Sequence, residues 1–123
     1  MESEFDLAEI VENGLPTGSI AHLKEKGLTS SELSGIVISP RTLKLRKERG
    51  EQLSDEETGR VVRVVRIVAL AEHVFGNHEK ALIWLRSKDD RINQQSPLSV
   101  LRTESGGCLV EKMLWQIDEG IYA

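Results

Sequence analysis

The chain has 123 residues, enough for one compact core or for two small helical subdomains that share one. Its apolar fraction of 39% and charged fraction of 29% are ordinary for a globular protein and exclude a disordered chain. Cys108 is the single cysteine, so an internal disulfide and a thiol zinc site are excluded, and the net charge of -4 argues by itself against nucleic-acid binding.

The first thirteen residues form an acidic segment. Residues 1–12 carry five carboxylates and no base, which is the reverse of a secretory leader. No apolar run in the chain approaches the roughly 20 residues that span a bilayer. We therefore expect a soluble, cytoplasmic protein without a membrane partner, and we assign no function to residues 1–13.

Helix start and stop signals punctuate the rest of the chain. Two capping boxes, at Thr29 and Ser54, and two serine–proline pairs, at Ser39 and Ser96, mark helix starts. Glycines fall where helices would end, at positions 27, 50, 76 and 120. These signals predict an all-α fold, with helices over residues 17–26, 29–36, 40–49, 54–75, 78–88, 97–103 and 107–119.

The predicted helices over residues 29–36 and 40–49 have the layout of a helix-turn-helix. Residues 41–49 contain five bases and one acid, a local charge of +4. In this motif the second helix enters the major groove, where polar side chains contact base edges and basic side chains bind phosphates. The candidate DNA-binding residues are Arg41, Thr42, Lys44, Arg46, Lys47 and Arg49. A solvated basic helix on a bundle is the alternative, which the pattern alone leaves open.

The predicted helix over residues 54–75 contains a stretch of β-branched residues, which favour strands. Arg60, Arg63 and Arg66 nevertheless recur at every third position, which keeps them on one side of a helix and scatters them over both faces of a strand. We therefore predict a mostly buried helix with an arginine edge. Phosphate contacts are one interpretation of this edge, and a solvated, salt-bridged face is the one that we favour.

Residues 77–123 hold the remaining candidates for chemistry. Trp84 and Trp115 lie on apolar helical stripes typical of core positions, although large aromatics also anchor interfaces. Gly106 and Gly107 predict a flexible entry to the last helix. The three histidines, Cys108 and the carboxylates form no convincing nucleophile–base pair or metal-ligand set, so we predict neither enzyme activity nor a cofactor.

The chain ends in Gly120, Ile121, Tyr122 and Ala123, without a polar tail. Because chain termini are normally frayed and soluble, we expect this apolar terminus to dock into another surface. Folding back onto the protein's own core is the alternative. A basic helix combined with an apolar terminus that docks into another surface is typical of an adaptor protein.

The order of features in the C-terminal half resembles one protein family. Trp84-Leu85, Asn93, Ser96-Pro97-Leu98 and Gly107 precede an amphipathic helix that runs into the apolar terminus. This order is similar to that of antitoxins of the Xre/MbcA/ParS type, from bacterial toxin–antitoxin pairs with a RES-domain toxin. The segment from Ser39 to Leu43 also resembles the Xre-like helix-turn-helix of that family.

The resemblance implies an all-α homodimer, with an Xre-like helix-turn-helix domain over residues 14–76 and a toxin-binding domain over residues 77–123. Such a protein represses its operon by binding operator DNA and neutralises a cognate RES-domain toxin that acts on NAD. We expect the C-terminal segment to occlude the toxin's active site. The expected toxin contacts are Met113, Trp115, Glu119, Gly120, Ile121, Tyr122 and Ala123. A stand-alone helix-turn-helix regulator, whose C-terminal half dimerises or senses a ligand, is the alternative function.

Overall fold

The computed structural model describes residues 14–120. The acidic segment 1–13 and the expected toxin contacts Ile121, Tyr122 and Ala123 lie outside the described residues. Within residues 14–120 the chain is helical and has no strand beyond one isolated bridge in a loop, so the all-α prediction is confirmed. None of the helices in this range combines the length and the apolarity that a membrane crossing requires.

Six α-helices and two short 3₁₀ helices make up the described part of the chain. The α-helices are α1 Ser19–Glu25, α2 Ser30–Ile36, α3 Pro40–Glu48, α4 Asp55–Phe75, α5 His78–Arg86 and α6 Glu104–Asp118. The 3₁₀ helices are Asp90–Ile92 and Leu98–Arg102. The β-branched stretch lies inside α4, as the arginine spacing predicts, whereas the helix predicted over residues 97–103 is of the 3₁₀ type.

The predicted capping boxes form the starts of α2 and α4. The Thr29 hydroxyl accepts the Glu32 backbone N–H at 3.1 Å, and the Glu32 carboxylate accepts the Thr29 N–H at 2.8 Å. Ser54 and Glu57 make the same reciprocal pair at 3.1 and 2.8 Å. After α3, Gly50 adopts the left-handed conformation, with φ of +65°, that ends the helix. These local interactions are the reason why the sequence predicts most helix ends to within two residues.

The described residues belong to two compact units, and the division falls inside α4, after Val62. In the first unit Thr58 is fully buried, and its hydroxyl accepts a hydrogen bond from the Leu15 N–H at 3.1 Å. The buried apolar residues of this unit are Ile20, Leu23, Leu28, Leu33, Ile36, Val37, Ile38, Leu53 and Val61. The predicted domain boundary between residues 76 and 77 stays a prediction.

The second unit contains the rest of α4, α5, both 3₁₀ helices and α6. The 3₁₀ helix Leu98–Arg102 packs against both α5 and α6. Near the junction of α4 and α5, the rings of Phe75 and Trp84 lie 5.7 Å apart and are tilted by 42°. The buried apolar residues of this unit are Val64, Ile67, Val68, Ala71, Ala81, Leu82, Leu85, Ile92, Leu98, Leu101, Val110, Met113 and Leu114.

The last helix starts earlier than the sequence predicts. Thr103 caps α6 by accepting the Gly106 N–H at 3.0 Å, so Gly106 and Gly107 lie inside the helix. A Cβ atom on Gly106 would lie 1.8 Å from the Val100 carbonyl oxygen, and one on Gly107 would lie 2.7 Å from Cδ of Arg63. The prediction of a flexible entry was therefore wrong. These glycines permit close packing against neighbouring backbone and side chain.

Candidate DNA-binding and partner-binding surfaces

The basic helix α3 lies at the surface of the first unit, and none of its residues is fully buried. Arg41, Lys44 and Lys47 are exposed and spaced three residues apart, so they follow one stripe of the helix surface. We call these three residues the basic stripe. None of the three makes an ion pair with a carboxylate of residues 14–120. Within the described range, then, no carboxylate neutralises the positive charge of this stripe.

Two further candidates border this stripe. Arg49, just after the helix, is exposed and likewise has no carboxylate partner among the described residues. Thr42 is half-buried, and its hydroxyl accepts a hydrogen bond from the Ser39 hydroxyl at 2.9 Å. The backbone N–H of Thr42 donates to the same serine oxygen at 3.2 Å, which caps α3. The Thr42 hydroxyl is thus oriented by the helix cap.

Arg46 differs from the other basic residues of α3. Its Nε and Nη2 donate to the two carboxylate oxygens of Glu57, at 2.7 and 3.0 Å, and its Nη1 lies 3.3 Å from a Glu51 oxygen. Glu57 is only 7% exposed. Burial pushes the Glu57 pKa upward, but the hydrogen bonds from Arg46 and Ser54 outweigh burial and hold the pKa below its ordinary value. The structure thus places Arg46 in an internal ion pair.

The turn between α2 and α3 is held by Arg60. Its Nη1 donates to the carbonyl oxygen of Val37 at 3.1 Å, at the end of α2, where helix carbonyls lack partners within the helix. Val37 and Ile38 in this turn are buried. The large Ile38 therefore fills core volume in place of the flexible residue that many such turns contain. Sequence reasoning missed this role of Arg60, because Val37 lies 23 residues away.

The rest of the arginine edge has internal partners in the second unit. Arg63 donates to the carbonyl oxygens of Leu101 and Arg102, at 3.0 and 3.3 Å. Arg66 forms an ion pair with Glu111 at 2.8 Å. The pair that Arg60 makes with Glu56 at 3.7 Å and the Arg66–Glu111 pair agree with the salt-bridged face that the sequence favours, whereas the half-buried Arg63 bonds to backbone carbonyls.

On α6, one side is buried and the opposite side is exposed. Gly107, Val110, Met113 and Leu114 are buried. The exposed side carries Cys108, Lys112, Trp115 and Glu119, which follow one another at helical spacing. We call these four residues the outer face of α6.

Trp115 and Met113, both predicted toxin contacts, lie on opposite sides of this division. Trp115 is 44% exposed, so it is not the core residue that its apolar stripe favours. Met113 is 3% exposed and packs in the core of the second unit, and its contribution to toxin binding stays a prediction. Trp84, by comparison, is half-buried against Phe75.

The end of α6 has the predicted stop. The helix ends at Asp118, Glu119 is exposed, and Gly120 has a φ of +73° with its N–H bonded to the Ile117 carbonyl at 3.1 Å. The left-handed glycine turns the chain away from the helix axis. Among residues 14–120, no group of three or more histidine, cysteine or acidic side chains is placed to hold a metal ion.

Comparisons with known proteins match both units. Residues 6–66 match the antitoxin Xre-like helix-turn-helix domain, and residues 70–120 match the C-terminal toxin-binding domain of the antitoxins Xre, MbcA and ParS. The antitoxin Xre of Pseudomonas putida is 35% identical over 120 residues, which cover 98% of this chain and 76% of that protein. The antitoxin Xre of Yersinia enterocolitica is 29% identical over 87 residues, which cover 70% of this chain and 59% of that protein.

Proposed function

The chain belongs to the Xre/MbcA/ParS family of antitoxins, and we propose that it neutralises a cognate toxin and represses its own operon by binding operator DNA. In this proposal the toxin is a RES-domain protein that acts on NAD, and the antitoxin itself performs no catalysis. Both activities take place in the cytoplasm. Two observations carry the proposal: within residues 14–120 the basic stripe of the matched helix-turn-helix domain has no carboxylate partner, and the matched toxin-binding domain has an exposed tryptophan.

For DNA binding, α3 enters the major groove with the basic stripe towards the DNA. Arg41, in the first turn, lies where side chains of such a helix reach base edges, and the half-buried Thr42 beside it takes part in the helix cap. Lys44, Lys47 and Arg49 lie further along and neutralise phosphates. Two copies of the chain bind the two half-sites of a palindromic operator as a homodimer. Val65 on α4 is apolar and 50% exposed, which supports a contact between the two copies at this position. Sedimentation of the free chain as a strict monomer would argue against the dimer.

The DNA-binding proposal is tested by replacing Arg41 and Lys44 with alanine and measuring operator binding at several salt concentrations. Each lost phosphate contact lowers the log–log salt slope by about 0.9, and each lost base contact costs roughly 1–3 kcal/mol of discrimination. Toxin neutralisation serves as the control, because both substitutions lie on exposed positions of the other unit. An unchanged operator affinity in the double variant would remove α3 from the recognition role.

For toxin binding, the outer face of α6 docks against the toxin, with Trp115 as its central apolar anchor. Tryptophan is the residue type most enriched among the side chains that dominate binding energy. Lys112 and Glu119 flank it with opposite charges, so the contact is amphipathic. Gly120 then directs Ile121 and Tyr122 into the toxin's NAD pocket, where they block the substrate sterically. The hydroxyl of Tyr122 supplies a polar group for such a cleft.

The toxin-binding proposal is tested by deleting residues 120–123 and co-expressing the variant with the proposed cognate RES-domain toxin. We expect growth to stop and NAD to be consumed, because the residues that block the toxin's active site are missing. Operator binding and melting temperature should stay close to those of the full chain. A truncated protein that still protects the cells would refute the proposal that residues 120–123 block the toxin's active site. A truncated protein that unfolds would show that these residues belong to the antitoxin's own core.

A further inference from the structure

The helix α3 buries little apolar surface and is joined to α4 by polar contacts. None of its residues is fully buried, and Leu45 on its surface is 40% exposed. Thr42, Leu43 and Arg46 are half-buried and form the inward side. A helix with so little apolar burial needs other contacts to fix its orientation, because most helices in proteins are held by the packing of an apolar face.

Glu57, in the first turn of α4, supplies the strongest of these contacts. One of its carboxylate oxygens accepts both Nε of Arg46, at 2.7 Å, and the backbone N–H of Ser54, at 2.8 Å. The other oxygen accepts Nη2 of Arg46 at 3.0 Å. The bidentate hydrogen bond between a planar guanidinium and a carboxylate fixes the orientation of the two groups as well as the distance between them. The capping box holds Glu57 itself, so the anchor for Arg46 is rigid.

A second contact comes from the same helix one turn later. Arg60 fixes the carbonyl of Val37 at the end of α2, while Glu57 fixes Arg46 near the end of α3. The first two turns of α4 therefore hold the two helices of the helix-turn-helix at separate points.

The charges around Arg46 also decide what it can bind. Arg46 contacts two carboxylates, Glu51 and Glu57, so the cluster of one positive and two negative groups has a net charge of -1. A phosphate gains little from such a cluster, and moving the guanidinium towards DNA would leave Glu57 buried without its partner. Arg41, Lys44 and Lys47 carry no such partner among residues 14–120.

We infer that Glu57 is a positioning residue for DNA recognition, acting through Arg46, and that Arg46 orients α3 without neutralising a phosphate. This inference rests on the proposed operator binding and adds a division of labour among the basic residues of α3. The basic stripe supplies the charge that DNA meets, and the Arg46–Glu57 pair sets the angle at which that stripe meets it.

The test compares Arg46→Met with Lys47→Met in the full chain, using a duplex from the region upstream of its own gene and an unrelated duplex of equal length. Methionine keeps an apolar stem of similar reach and removes the charge at both positions. Lys47→Met is expected to lower the log–log salt slope by about 0.9 on both duplexes. Arg46→Met is expected to leave the slope unchanged and to weaken operator binding by about tenfold, as the loss of a charge-assisted hydrogen bond predicts.

Two further variants separate positioning from a general loss of stability. Arg46→Lys keeps the charge but not the planar fork, so it is expected to lose operator preference over the unrelated duplex nearly as far as Arg46→Met. Glu57→Gln is expected to match both, and the Arg46→Met, Glu57→Gln double variant is expected to be no weaker than the single variants, because the two residues act as one unit. All binding is measured at a temperature at which circular dichroism shows each variant folded.

Three outcomes overturn the inference. A salt slope lowered by about 0.9 in Arg46→Met would show that Arg46 contacts a phosphate. Unchanged operator preference in both Arg46→Lys and Glu57→Gln would show that the pair does not orient the helix. If the unmodified chain has no preference for its operator, the proposed repressor function fails and this inference fails with it, whereas the first two outcomes leave the repressor function intact.

Discussion

The two helices that carry the proposed contacts, α3 and α6, are held by different kinds of interaction. α3 buries no residue completely and is fixed by an ion pair and capping hydrogen bonds. α6 buries four residues and approaches its neighbours closely at two glycines. The position of α3 should therefore respond to charge and pH, and that of α6 to side-chain volume. The proposed partners fit this division, because phosphate charge dominates DNA affinity and shape complementarity is high at the core of a protein interface.

The largest effect is expected at Gly106, where volume alone decides. In Gly106→Ala the new Cβ would lie 1.8 Å from the Val100 carbonyl oxygen, so α6 has to shift away from the preceding segment. We expect the free energy of unfolding to fall by more than about 3 kcal/mol, measured by urea unfolding. Gly35→Ala is the matched control: Gly35 lies in α2 with open space around it, and alanine there should raise stability by roughly 0.5–1 kcal/mol. Equal stability of the two variants would contradict this packing.

The next effect separates two neighbouring residues of α6. Leu114 is fully buried, so Leu114→Ala should lower the free energy of unfolding by about 3 kcal/mol. Trp115 is 44% exposed, so Trp115→Ala should cost less than about 1 kcal/mol in stability and yet weaken toxin binding by roughly 30-fold or more. Titration calorimetry with the toxin checks the second value. If Trp115→Ala binds the toxin as tightly as the parent chain, the outer face of α6 is not the docking surface.

The smallest effect concerns the charge that holds α3, and it depends on pH. The folded-state pKa of Glu57 lies below its ordinary value of 4.5, so the ionised carboxylate stabilises the fold above that pH, and this contribution is lost as the pH falls through the lowered pKa. Glu57→Gln cannot titrate. It should cost roughly 1–2 kcal/mol at pH 7, and the difference from the parent chain should shrink below pH 4.5.

The control for the pH experiment is Glu56→Gln, at the neighbouring position. The Glu56 side chain is 85% exposed and lies 3.7 Å from Arg60, so its loss should change the free energy of unfolding by less than about 0.5 kcal/mol. A Glu57→Gln difference that stays constant from pH 7 down to pH 3 would show that the carboxylate charge does not hold α3.

The sequence predicts those features of the fold that neighbouring residues determine. The caps at Thr29, Ser39 and Ser54 involve residues three positions apart, so the starts of α2, α3 and α4 are predicted to within one residue. The helical character of α4 follows from the spacing of its arginines, in spite of its β-branched composition. These are interactions within one turn of chain, which a sequence displays directly.

Features that depend on contacts between elements were not predictable in the same way. The partner of Arg46 lies 11 residues away in another helix. The sequence around Arg46 therefore does not show that the role of this residue differs from that of Lys44 or Lys47. The start of α6 was misplaced because Gly106 permits a close backbone approach that the sequence does not show. The sequence places Met113 and Trp115 on the same apolar stripe, and only the packing of α6 shows that Met113 is buried while Trp115 is exposed.

The two tryptophans lie in different environments, so their fluorescence can report separately on unfolding and on the binding of a partner. Trp84 lies against Phe75 in a half-buried corner, and Trp115 faces solvent. A Trp115→Phe chain would therefore emit from Trp84 alone, and its fluorescence would follow the unfolding of the second unit. A Trp84→Phe chain would emit from Trp115 alone, with a solvent-relaxed spectrum that moves to shorter wavelength and becomes protected from iodide quenching when a partner covers α6. One protein can thus report folding and docking separately, without an added dye.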